Sequence, residues 1–110
     1  MEGETLEVAI SDLALHSLYH IYEYGVETFA LNAANIFIDE LYERIYALSD
    51  DYLIHPECRY LITKSEMYRN IIHGSYLVIY RITNYRIEVL NVLHSSRSIK
   101  GIKSSRSIKI

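Results

Sequence analysis

Apolar residues along this 110-residue chain follow two rhythms, and the change from one to the other divides it. Leu6, Val8 and Ile10 alternate with polar or small neighbours, which predicts a short strand over Leu6–Ile10. Leu15, Leu18 and Tyr22 then recur at helical spacing, with Ala14 and Ile21 beside them. A helix is expected from Ser11 or Asp12, either of which can cap it, to about Tyr24, with Gly25 as a left-handed stop. Thr28 is the expected cap of a second helix through Ser49. Its apolar stripe runs Ala30, Ala33, Ala34, Phe37, Leu41, Ile45 and Leu48, while Asp39, Glu40 and Glu43 fall on other positions. A short link makes the two helices an antiparallel hairpin.

Periodicity lapses over Ser49–Lys64, where Asp50, Asp51 and His55-Pro56 predict a loop with one extended piece near Tyr60–Ile62. Three strands follow: residues 67–73, ended by Gly74-Ser75; YLVIYRI at 76–82; and RIEVLNVLH at 86–94. The near-continuous apolarity of the second suggests the centre of a sheet. A tight turn at Thr83-Asn84 would exploit the tolerance of Asn for positive φ. Ile87, Val89, Asn91 and Leu93 are expected opposite Glu88, Leu90 and Val92. The order is β-α-α-β-β-β, an α+β fold with a helical hairpin packed on a small, mainly antiparallel four-stranded sheet. Residues 1–94 make one domain and 95–110 a basic tail.

That tail says SSRSIK twice, at 95–100 and 104–109. Two copies are too few for a solenoid. A local duplication accounts for them, with the second copy expected to be poorly ordered and residues 99–110 removable without loss of the fold. Charge sharpens the division. Residues 1–54 carry eleven acidic side chains against one basic, Arg44, whereas residues 55–110 carry ten basic against three acidic. Such polarity points the C-terminal half toward an anionic partner; the plainer reading is that the halves neutralise each other. Cys58 is the only cysteine, so no internal disulfide forms, which suits a reducing compartment. The opening residues Met1–Glu4 lack the basic and apolar regions of a signal peptide, and no apolar run approaches the ~20 residues that span a bilayer. A cytoplasmic protein with no membrane contact is expected.

The order of elements, with LALHSLYHIYEYG, FIDELYERIYAL, MYRNIIHGSYLVIYRI and RIEVLNVLHSSRS, resembles the RelE/ParE superfamily of bacterial type II toxin–antitoxin modules, and more closely its ParE branch. The resemblance covers residues 6–98. It implies a plasmid-stabilisation type of toxin, silenced by a cognate antitoxin whose C-terminal segment wraps around it, alone or in a homo- or hetero-oligomer. For the ParE branch it implies poisoning of DNA gyrase by protein contact. The alternative, from the RelE branch, is a ribosome-dependent mRNA endonuclease.

RNA cleavage through the 2′-hydroxyl needs a base, an acid and cations around the phosphate. Arg69, Arg81 and His94 are the residues that could supply them. The resemblance places an arginine of the nuclease branch where Leu77 stands, and a terminal aromatic partner where Ser95 follows His94. Arg81 shares a strand face with Leu77 and Ile79, which argues against a catalytic cradle, and His94 has a simpler reading as a strand-end cap. No enzyme activity is therefore expected. His16 and His20, four apart, share a helix face but lack the pattern of a zinc site, so neither metal nor cofactor is expected. Cys58 has no base beside it. Among eleven tyrosines, Tyr19, Tyr22, Tyr42, Tyr46 and Tyr80 are candidates for a partner-binding surface, with Arg97, Lys100 and Lys103 as its electrostatic part.

Overall fold

The computed structural model describes residues 4–97 and 99–110; Met1–Gly3, on which part of the signal-peptide reading rests, lie outside the described residues. The chain runs β1 (Glu7–Ile10), α1 (Asp12–Thr28), α2 (Leu31–Tyr46), a single-turn α3 (Leu48–Asp51), β2 (Tyr68–His73), β3 (Tyr76–Ile82), β4 (Arg86–His94), α4 (Ile99–Lys103) and a closing 3-10 turn, Ser104–Ser107. The sheet order is β1-β4-β3-β2. β2, β3 and β4 form an antiparallel meander, and β1 joins the far edge parallel to β4.

Ser11 fixes the first corner. Its Oγ accepts from the Ala14 amide at 2.9 Å, capping α1, and donates to the Leu90 carbonyl at 2.7 Å. That carbonyl is available because β4 bulges: Tyr80 pairs with Val89 and Ile79 with Asn91, leaving Leu90 as the extra residue. The bulge overturns the expected alternation of β4. Ile87, Val89 and Val92 face the helices, while Leu90 and Leu93 face the other way.

Helix α1 does not stop at Gly25 but continues to Thr28, and Gly25 serves close packing instead. A Cβ built there would stand 3.2 Å from that of Ala34, so the missing methyl lets α1 and α2 approach. Phe29 and Ala30 alone separate the helices, and both amides reach back to the Gly25 carbonyl, at 2.9 and 3.3 Å. Thr28 is thus the end of α1 and not a cap; α2 begins after Ala30 with no side-chain cap and ends at Tyr46. The chain then turns through α3. The extended piece of the following loop lies near Glu57, which bridges to Arg69, and not at Tyr60–Ile62. Cys58 N–H donates to the Tyr68 carbonyl and Asn70 N–H to that of Pro56, covering the first half of edge strand β2. The turn between β3 and β4 is organised by Thr83, whose hydroxyl accepts from the Tyr85 and Arg86 amides and donates to the Arg86 carbonyl. Asn84 keeps a negative φ there, contrary to expectation. Gly74, at φ 58°, does take the left-handed position in the β2–β3 hairpin.

Both faces of the sheet are covered. Ala14, Leu18, Leu41, Ile45 and Leu48 of the helices bury Ile71, Val78, Tyr80 and Val89. On the opposite face Tyr68, Ile79, Leu90 and Leu93 lie under Cys58, Leu61 and, from the tail, Ile102 with Ile108 beside it. Two-sided cover explains why YLVIYRI is apolar on both sides. It also corrects the reading of the tail: its second copy is folded, with Ser105 buried and Ile108 packed on the sheet, and with the preceding Ile102 residues 99–110 complete a core.

Candidate functional site: an apolar groove beside the helical hairpin

The C-terminal end of α1, the start of α2, the β2–β3 turn and the last residue of β4 meet around an open groove of about 690 Å³. Ile21, Tyr24, Phe29, Ala33 and Phe37 form one wall, and Gly74, Tyr76 and His94 the other. Rings line its floor: Phe37 lies 5.9 Å from Tyr76, which meets His94 edge-on at 5.3 Å. At the rim Tyr24 and Phe29 touch edge to face at 6.4 Å while remaining 57% and 70% exposed. Nothing in the fold of a lone chain calls for two large apolar rings in water at the mouth of an apolar groove. A patch of this kind marks a place where another molecule docks.

The electrostatics of the groove are subdued. Burial, with Tyr24 nearby, raises the Tyr76 phenol above its ordinary value, so it stays protonated. At the back, Arg44 of α2 donates to the Ile72 carbonyl at 2.9 Å and to His73 Nδ1 at 3.1 Å, tying the helix to the sheet edge. Burial first and then this guanidinium lower the His73 pKa, with Glu40 opposing.

The three residues considered for RNA cleavage are dispersed. Arg69 pairs with Tyr80 on the helix face of the sheet, and His94 pairs with Tyr76, four residues along β3 or about 13 Å away. Arg81 points through the opposite face with Tyr68. Each has its own structural engagement. Arg69 donates to the carbonyls of Leu53, His55 and Glu66 at 3.0–3.1 Å and so anchors the long loop. Arg81 holds Glu88 at 2.7 Å and reaches the Arg106 and Ile108 carbonyls at 3.3 Å. His94 Nδ1 accepts from the Ser96 amide at 3.1 Å and contacts its hydroxyl at 2.8 Å, capping the turn after β4.

The tyrosines also separate. Tyr80 is fully buried, its hydroxyl donating to the Tyr52 carbonyl at 2.7 Å, so it is part of the core and not of a surface. Tyr19 and Tyr46 are exposed; Tyr22 donates to Asn35 Oδ1 and Tyr42 stacks on Tyr46. None of these five lines the groove. The sequence reading missed Tyr24 and Phe29, whose signal was the unbroken helical phase through Gly25 that carries them to the hairpin's outer end. Arg97, Lys100 and Lys103 stand exposed on the tail and do not line the groove. His16 and His20 face one another, Nε2 to Nε2, at 3.0 Å with Glu23 3.4 Å beyond. Among the described residues, however, no three metal-ligating side chains converge, and no helix is long and apolar enough to cross a membrane. Cys58 is buried, and burial raises its thiol pKa.

Comparison with known proteins agrees with this architecture. A chain described as the chromosomal ParDE TA system from P. aeruginosa superposes with a TM-score of 0.68 at 13% identity, over 84% of this chain and 98% of that one. No curated protein matches the sequence. The family model for the ParE toxin of the type II toxin-antitoxin system parDE matches residues 8–99. With that match spanning β1 to the first residue of α4, the chain belongs to the ParE toxin family of type II toxin–antitoxin systems.

Proposed function

We propose that this toxin acts in the cytoplasm by protein–protein contact, with DNA gyrase as its target, and is held inactive by a cognate antitoxin whose segment lies in the apolar groove. The groove with its exposed Tyr24 and Phe29 carries the reading, because an apolar face of an antitoxin segment finds there the ring surfaces that water now covers. Tyr19 and Tyr46 are also exposed on the helices but lie outside the groove. The dispersal of Arg69, Arg81 and His94 favours contact over bond cleavage: a base, an acid and a phosphate-holding cation must converge within hydrogen-bond reach of one substrate.

Adding the purified chain to supercoiling reactions of gyrase, and in parallel to a translating extract, tests the proposal. Loss of supercoiling with intact mRNA is expected. Cleaved mRNA with undisturbed gyrase would overturn it and favour the RelE-like nuclease.

A further inference from the structure

The tail has a second periodicity inside its nine-residue repeat. Arg97, Lys100, Lys103, Arg106 and Lys109 are each three residues apart, and so are Ile102, Ser105 and Ile108 between them. The fold gives this spacing a meaning. Helix α4 has 3.6 residues per turn and the 3-10 turn that continues it three, so residues three apart drift by about 60° or less per step and stay near one side as far as Ser107. Ile102 and Ser105 are buried on the sheet, and Ile108 packs against the same cluster. Lys100, Lys103, Arg106 and Lys109 are all exposed. Among the described residues the ion pairs use His20, Arg69, Arg81 and Arg86, and none of the tail cations.

The ridge is held in place by the fold. Ser105 Oγ donates to the Gly101 carbonyl at 3.3 Å and accepts from the buried Asn91 side chain at 3.2 Å. Arg81 grips the Arg106 and Ile108 carbonyls from below, and the Arg106 guanidinium lies 5.8 Å from the Tyr68 ring centre. A cation row fixed on a sheet gives up little conformational entropy when it binds, unlike the same charges on a loose tail.

We infer that this ridge binds the phosphate backbone of duplex DNA, without sequence preference. Its composition selects that partner over an acidic protein. Residues 95–110 are Ser, Lys, Arg, Ile and Gly, with no aromatic and no acid. Protein interfaces are depleted in Lys and Ser and rich in aromatics. Phosphate contacts, by contrast, come from Lys, Arg and Ser side chains. The exposed hydroxyls of Ser104 and Ser107 sit between the cations. From Lys100 to Lys109 the ridge is about 15 Å long, and its four long cationic side chains can each reach a phosphate, about four in all. The acidic residues of α1 and α2 lie across the sheet, so the molecule offers DNA one face and repels it with the other. Most of this ridge lies beyond residue 99, where the family match ends. The inference is independent of which enzyme the toxin disables.

The test is fluorescence anisotropy of the full chain with a short random-sequence DNA duplex across a salt series. Four phosphate contacts predict an affinity loss of about 100-fold between about 50 and 200 mM salt. The Lys100→Gln, Lys103→Gln, Lys109→Gln variant should bind more weakly and lose only about threefold to fourfold over the same range. Its melting temperature should match the parent, since all three side chains are exposed. A salt response unchanged by the triple substitution, absence of binding at low salt, or equally tight binding to polyglutamate would each overturn the assignment.

Discussion

Arg81 holds two parts of the molecule at once. Its guanidinium pairs with Glu88 at 2.7 Å on β4 and donates to two tail carbonyls, all on the face away from the helices. Burial works against its charge, but the hydrogen bonds to Tyr68 and Glu88 prevail and raise its pKa; burial likewise works against the Glu88 charge, but the bonds from Arg81 and Arg86 prevail and lower its pKa. Arg81→Met should cost about 2 kcal/mol in urea unfolding, because charged hydrogen bonds are lost and Glu88 keeps only Arg86. The tail of this variant should also be cut earlier by protease than the parent's. His73 gives a pH dependence of definite sign. Its folded pKa lies below the ordinary value, so the unfolded chain takes up the proton first as pH falls. The stabilisation is complete above the ordinary imidazole value near ~6.5 and is lost as pH drops through the depressed folded one. His55, lowered chiefly by burial, adds with the same sign. The melting temperature should therefore fall between about pH 7 and 5, and His73→Gln should flatten that fall. At this scale the sequence shows what is local. Ser11 reads as a cap because its partner is three residues away, and Arg81 reads off β3 as a companion of Leu77 and Ile79. The burial of Tyr80 depends on α2, α3 and the Tyr52 carbonyl, which no pattern within β3 reports.

Two elements that look alike in the sequence end differently in the fold. In the first SSRSIK, Ser96 and Ile99 are exposed, and Ile99 is the first residue of α4; the second buries Ser105 and packs Ile108 on the sheet. Identical hexapeptides have identical propensities, so tertiary contact alone separates them. This is why the tail's order is not legible in the sequence. β3, in contrast, is legible to the residue, since two-sided burial writes itself as unbroken apolarity. The β4 bulge was hidden because an extra residue inverts the alternation on which strand reading depends. Ile102, 6% exposed, ties the tail to the second core, so Ile102→Ala should cost about 2 kcal/mol by chemical denaturation. A full loss of the tail would also uncover Leu90 and Leu93. At the hairpin, Gly25→Leu forces a side chain where even a methyl lies 3.2 Å from Ala34. It should cost about 1–3 kcal/mol, read as a lower denaturation midpoint.

The whole molecule is a three-layer object with opposed surfaces: an acidic helical hairpin, a sheet apolar on both faces, and a basic ridge beneath. The sequence showed the charge division as a contrast between halves; folding turns that contrast from one along the chain into one across the sheet. The groove lies at one end of the sheet, open between the hairpin and the β2–β3 turn, and its lining comes from four elements and two connections. Such a site cannot be read from any single stretch, which is why the tyrosines chosen by helical position did not find it. The ParE family membership and the groove together make polypeptide docking the central claim. Ala33 offers the most direct probe, since it is exposed, lines the groove and lies on α2 away from the buried stripe. The decisive measurement is the affinity of the Ala33→Arg chain for a cognate antitoxin. A loss of about 100-fold, with an unchanged melting temperature, is the predicted result for a bulky charge set into a binding hot spot; parental affinity would contradict the account.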